Sequence, residues 1–68
     1  MTVRITVNGA SREVSSGATL LQLIESLGLR RELVAVEVNQ QLVRRAKLDA
    51  ATLSEGDRVE IVEFVGGG

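Results

Sequence analysis

The chain opens on an alternation. Val3, Ile5 and Val7 share one phase, and Thr2, Arg4 and Thr6 share the other. Side chains of a strand point to opposite faces with period two, so "TVRITV" predicts a half-buried strand. Asn8-Gly9 follows. A tight type I′ turn needs positive φ at both central residues, and Asn-Gly tolerates this well, so a hairpin is expected. "ASREV" is the returning, weaker strand, and Ser15-Ser16-Gly17 ends it. The period then lengthens. Leu20, Leu23, Ile24 and Leu27 recur at helical spacing, Leu21 widens the stripe, and Gln22, Glu25 and Ser26 face out. Thr19 or a neighbouring serine is the expected N-cap. Gly28 fits the C′ position of a helix stop, with Leu29 making the apolar contact that accompanies it.

Period two returns in "LVAVEVN", with Val34, Val36 and Val38 on one face. Asn39-Gln40-Gln41 is expected to turn the chain into a short strand, "LVRR". The segment "AKLDAATLSEGD" reads as a loop with Leu48 and Leu53 tucked beneath it. Gly56-Asp57 then launches the last strand, "RVEIVEFV". The order is β-β-α-β-β. A helix with one apolar stripe must bury it against another layer, so it packs across one face of the sheet. A crossover helix usually returns the chain parallel to an earlier strand. The first and last strands are the longest and most apolar, which places them side by side in the centre. The expected fold is α+β: a mixed sheet of four to five strands with one main helix on one face, the β-grasp or ubiquitin-like arrangement. The expected domain covers residues 1–65, and residues 66–68 form a flexible glycine tail.

The last strand breaks its own pattern. Val59 and Ile61 set a buried phase that predicts an apolar residue at position 63, yet Glu63 stands there. Val62 and Phe64 occupy the opposite phase. One reading is a bulge or a strand end, where pairing loosens. The other is an exposed apolar spot at Val62 and Phe64, next to the tail, that docks a partner. Phe64 is the sole aromatic residue of the chain, and aromatics are enriched in interface cores.

Composition narrows the function. Sixty-eight residues allow one small domain with a marginal core and little room for an internal active site. A net charge of −1 and a single aromatic argue against a nucleic-acid binder. Cys and His are absent, which excludes thiol chemistry, disulfides and the usual zinc sites. No signal peptide or membrane span is legible, so the cytoplasm is the expected location. No base stands beside a nucleophile, and no glycine-rich phosphate loop or metal cluster is present. No catalytic residue and no metal ligand is therefore expected. "RRE" at residues 30–32 and "RRAK" at residues 44–47 read as solvated loops.

What remains is the ending, Gly66-Gly67-Gly68. A glycine-rich end is commonly a spacer or a frayed terminus. A terminal glycine also has no Cβ, so its carboxylate enters a narrow tunnel and meets a nucleophile unhindered. Three glycines reach roughly 10 Å, enough to thread a partner's active site while the body stays outside.

The opening "VNG", the "GATLLQLIESLGL" helix, "VAVEVNQQLVRR" and above all "LSEGDRVEIVEFVGGG" resemble the ThiS family, the ubiquitin-like sulfur carriers of thiamine biosynthesis, over nearly the whole chain. Arg44 departs from the family pattern, in which a proline often occupies that place; this bears on loop rigidity. The resemblance implies that the chain is a protein cosubstrate rather than an enzyme. A ThiF-type, E1-like adenylyltransferase would use Mg-ATP to adenylate the Gly68 carboxylate. Sulfur from a persulfide, ultimately from a cysteine desulfurase, would convert it to a thiocarboxylate. A ThiG-type thiazole synthase would accept that sulfur. Gly66 and Gly67 would thread the partners' active sites, and no cofactor would be bound by the chain itself. Three alternatives share the fold: the small subunit of molybdopterin synthase, a ubiquitin-like modifier of target lysines (Lys47 is the single lysine here), and a plain binding module with an idle tail.

Overall fold

A computed structural model describes residues 1–64. Five strands, β1 (Thr2–Val7), β2 (Ala10–Ser15), β3 (Val34–Val38), β4 (Gln41–Val43) and β5 (Arg58–Glu63), form one sheet in the order β2-β1-β5-β3-β4. One helix, α1 (Leu20–Ser26), links β2 to β3. β1 and β5 are parallel neighbours, and every other pairing is antiparallel. This is the expected β-grasp, with five strands.

The first hairpin turns at Asn8 and Gly9, whose φ values are 50° and 85°, as a type I′ turn requires. The second hairpin corrects the sequence reading. Its turn contains two residues, Asn39 (φ 52°) and Gln40 (φ 70°), because Gln41 already pairs with Val38. Gln40 thus holds a conformation that a side chain disfavours, and the pairing on either side enforces it. The fourth strand is Gln41–Val43, one residue earlier than "LVRR" and without either arginine. β5 ends at Glu63 and not at Val65. Residues 65–68, including the expected boundary at 65 and the glycine tail, lie outside the described residues.

Helix α1 is held at both ends. Thr19 Oγ1 accepts from the Gln22 amide at 3.2 Å, and Gln22 Oε1 accepts from the Thr19 amide at 3.0 Å, a reciprocal capping box. The next free amides go to the long loop: Leu20 donates to Ala51 O and Leu21 to Leu48 O. At the far end Leu29 donates to Ile24 O and Gly28 (φ 74°) to Glu25 O. These are the two bonds of a Schellman stop, with Gly28 at the left-handed position.

The core lies between α1 and the sheet. Leu20, Leu23 and Ile24 meet Ile5, Val34, Val36, Val59 and Ile61, and Leu48 and Leu53 close it from the long loop. The stripe, the strand phases and both loop leucines match the expectation. Leu21 and Leu27 are partly buried at its margin.

Candidate functional site

Strand β5 is the last element of the described residues. Its pairing with β3 is regular over its whole length, through Ala35↔Val62 and Val34↔Glu63. Beyond the strand, the Phe64 amide still donates to Leu33 O at 2.7 Å. There is no bulge, and pairing does not loosen. Glu63 keeps the inner phase at the strand's last position and is exposed. Val62 is 59% exposed and Phe64 50%. Glu63 stands at the strand's end, as the first reading has it, and Val62 and Phe64 are exposed, as the second has it.

The spot is wider than sequence alone suggested. Val62 stands opposite Ala35 on the face of the sheet away from the helix. A shallow groove of about 240 Å³ lies along the β3–β4 edge, lined by Val34, Val36, Leu42, Val43, Arg44 and Leu48 among others, and Val62 is not part of it. Leu42 is 68% exposed. Its signal was available: in a three-residue edge strand, Leu42 is the apolar residue out of phase with Val43. The same face carries Glu37 directly opposite Glu60.

β5 is tied to its neighbours by side chains as well as by the ladder. Its parallel pairing with β1 covers only Thr6↔Arg58 and Val7↔Val59. Asn8 then continues it. The Asn8 amide donates to Val59 O at 2.8 Å. Its side chain accepts from the Ile61 amide at 2.8 Å and donates to Ile61 O at 3.1 Å. The primary amide does here what a strand's peptide group does. Asn39 repeats the device at the start of β5, where its Oδ1 accepts from the Arg58 amide at 3.0 Å and its Nδ2 donates to Asp57 Oδ1 at 3.0 Å. Asp57 Oδ2 accepts in turn from the Ser54 amide. This network explains why Gly-Asp precedes the strand: Gly56 (φ 84°) makes the turn, and Asp57 braces it.

The two arginine-rich segments are not simple solvated loops. Each forms a 3₁₀ turn, Arg31–Leu33 and Arg45–Lys47. Arg31 Nη2 donates to Arg45 O at 3.2 Å, and Arg45 Nε donates to Arg31 O at 3.0 Å. The reciprocal pair joins the turns into one surface. Sequence reading missed this because nothing local marks two arginines fourteen positions apart as partners.

Gly66, Gly67 and Gly68 lie outside the described residues. Among the described residues no cluster of metal-ligating side chains occurs, and no helix is long and apolar enough to cross a membrane. An open groove of about 910 Å³ lies between β2 and α1, lined by Arg12, Glu13, Gln22 and Glu25 among others. It holds neither of the two exposed apolar residues that precede the tail.

Comparison with known proteins agrees with this geometry. The sequence profile of a family described as the ThiS family matches residues 5–68. The sulfur carrier protein ThiS of Escherichia coli is 27% identical over 97% of this chain and 100% of its own length. A thiazole synthase of Magnetococcus marinus is 41% identical over 97% of this chain, and the chain spans only 20% of that protein. The crystal structure of the thiamine biosynthesis protein ThiS from Geobacter metallireducens superposes with a TM-score of 0.81 at 35% identity, covering 97% of this chain and 100% of that one. The chain belongs to the ThiS family, the β-grasp sulfur carriers of thiamine biosynthesis.

Proposed function

We propose that this protein carries sulfur as a thiocarboxylate on Gly68 and donates it to thiazole formation. The observation that carries the reading is the pairing of an exposed Val62–Phe64 surface with a family match that runs through the final glycine. In this reading the chemistry falls to partners, and the chain serves as their cosubstrate.

Each step has a chemical reason. A carboxylate is a poor electrophile. An E1-like adenylyltransferase with Mg-ATP makes it an acyl-adenylate and releases pyrophosphate. The terminal sulfur of a persulfide, supplied through a cysteine desulfurase, attacks the acyl carbon and expels AMP. The product is an acyl disulfide. A thiol then attacks the S–S bond, leaves as one half of a new disulfide, and frees the thiocarboxylate. Sulfur is now a soft nucleophile at neutral pH, ready for a thiazole synthase. The occurrence of a matching segment inside a protein named thiazole synthase supports that acceptor over the pterin of molybdopterin synthase.

The reading requires a free α-carboxylate at Gly68. The test is the intact mass after incubation with the adenylyltransferase, ATP and a sulfur donor. A gain equal to one oxygen-to-sulfur exchange, located at Gly68, is expected. Gly67→Val should abolish that gain with the fold intact, because valine is stiff at χ1 and bulky where the arm must pass through a closed site. An unmodified terminus in the parent protein, or a normal gain in the variant, contradicts the proposal.

A further inference from the structure

Five of the eight basic residues fall in two short segments: Arg30 and Arg31, and Arg44, Arg45 and Lys47. They are distant in sequence, yet the reciprocal Arg31–Arg45 bonds hold the two 3₁₀ turns together. One anion lies within these segments, and the exposed Glu63, opposite Val34, and Asp49 lie next to them. Glu32 approaches Arg30 at 4.0 Å, with both side chains at least 65% exposed, a geometry that neutralises little. Arg31, Arg44, Arg45 and Lys47 have no carboxylate within salt-bridge distance among the described residues. A concentrated positive surface thus stands on a protein whose net charge is −1.

Its position gives it meaning. Leu33 closes the first 3₁₀ turn, and its carbonyl accepts from the Phe64 amide at 2.7 Å. Arg31 and, through the reciprocal bonds, Arg45 therefore stand close to the backbone of Phe64, the last described residue. Arg44 and Arg45 also line the groove at the β3–β4 edge together with the exposed Leu42.

We infer that the arginine-rich turns form an electrostatic docking surface for an acidic protein surface around the mouth of the site that receives the tail. The inference rests on the sulfur-carrier reading, in which that partner is the tail-activating adenylyltransferase. Opposite charge at an interface rim accelerates encounter and fixes register more than it deepens affinity. A tail that must enter a tunnel needs both. A polyanion such as nucleic acid is the poorer match. The adjoining open face carries Glu37 opposite Glu60, which repels an extended negative strand. A protein surface can place acids against the arginines and apolar groups against Val62 and Phe64.

The experiment varies the concentration of the full-length protein in ATP–pyrophosphate exchange by the E1-like adenylyltransferase of the same organism. The comparison is Arg30→Glu combined with Arg44→Glu, which leaves the Arg31–Arg45 bonds in place. The expected result is a rise of at least about tenfold in the half-saturating concentration, larger than any change in the saturated rate. The parent should also weaken more steeply than the variant between roughly 50 and 300 mM salt. If the reversal unfolds the domain in a thermal melt, Arg30→Gln with Arg44→Gln is measured in the same way. Normal half-saturation in a folded variant overturns the docking surface and leaves the carrier reading standing. No exchange with the parent protein overturns the carrier reading, and the docking surface with it. Binding of a single-stranded oligonucleotide to the parent at physiological salt, lost in the variant, also overturns it.

Discussion

Asn8→Gly removes a side chain that the structure uses as backbone. Glycine adopts the φ of 50° at this position without steric cost, so the turn survives and the loss is confined to the amide. Two hydrogen bonds disappear, both to Ile61. Ile61 is 8% exposed, so its amide and carbonyl on that side gain little water in exchange. Each bond contributes about 1 kcal/mol net, and leaving a buried group unsatisfied costs about 1–3 kcal/mol. Glycine adds some unfolded-state entropy. The expected destabilisation is about 2–4 kcal/mol. A domain of this size holds roughly 5 kcal/mol, and each kcal/mol moves its Tm by about 4–8 °C. The variant should therefore melt at least about 8 °C lower. Urea denaturation gives the free energy, and hydrogen exchange gives its location. The Ile61 amide should lose protection before its neighbours in β1 do, because β1 pairs with β5 only as far as Val7↔Val59. Asn8→Ala should be worse still, since alanine is strained at positive φ. An unchanged midpoint for Asn8→Gly, or an Ile61 amide that stays protected, would refute the claim that the Asn8 side chain completes the sheet.

Three further predictions follow from single sites. Ile24 is fully buried at the centre of the helix stripe, so Ile24→Ala should cost about 2–5 kcal/mol in chemical denaturation; a midpoint equal to the parent's would mean the helix face is misread. Arg44 sits at φ −67° and ψ 148°, close to the values proline enforces, and among the described residues its amide makes no bond outside the strand ladder. Arg44→Pro should therefore stabilise by roughly 0.4–1 kcal/mol, read as a higher Tm, while removing one charge from the docking surface. Phe64→Ala keeps the backbone bond to Leu33 and removes a half-exposed ring, so it should weaken partner binding by more than ~1.4 kcal/mol, or tenfold, against a smaller loss in stability. Equal affinity, measured by calorimetry with either partner, would remove Phe64 from the interface.

Local order in the sequence was enough for most of the architecture. The alternation of Val3, Ile5 and Val7, the Leu20-Leu23-Ile24 stripe, Asn8-Gly9 and Gly28 each depend on neighbours within four positions. Backbone geometry reads such signals directly. The order of elements and the apolar content of the end strands then placed β1 beside β5. The exposed Val62 and Phe64 were visible as residues in the wrong phase. The choice between a loosened strand end and an open apolar face was not, because that depends on whether Val34 and Leu33 keep pairing with residues 63 and 64. The second hairpin was misjudged by one residue for a similar reason. Gln40 has no intrinsic preference for φ of 70°, and only the register of β3 against β4 forces it there. The Asn8–Ile61 clasp spans 53 positions and the Arg31–Arg45 pair spans 14. Neither leaves a periodic trace, because hydrogen bonds across such distances form only after the chain has folded. The sequence determined which residues could turn, cap and bury; tertiary contact decided which polar side chains would hold β5 in place and that Arg31 and Arg45 would clasp each other.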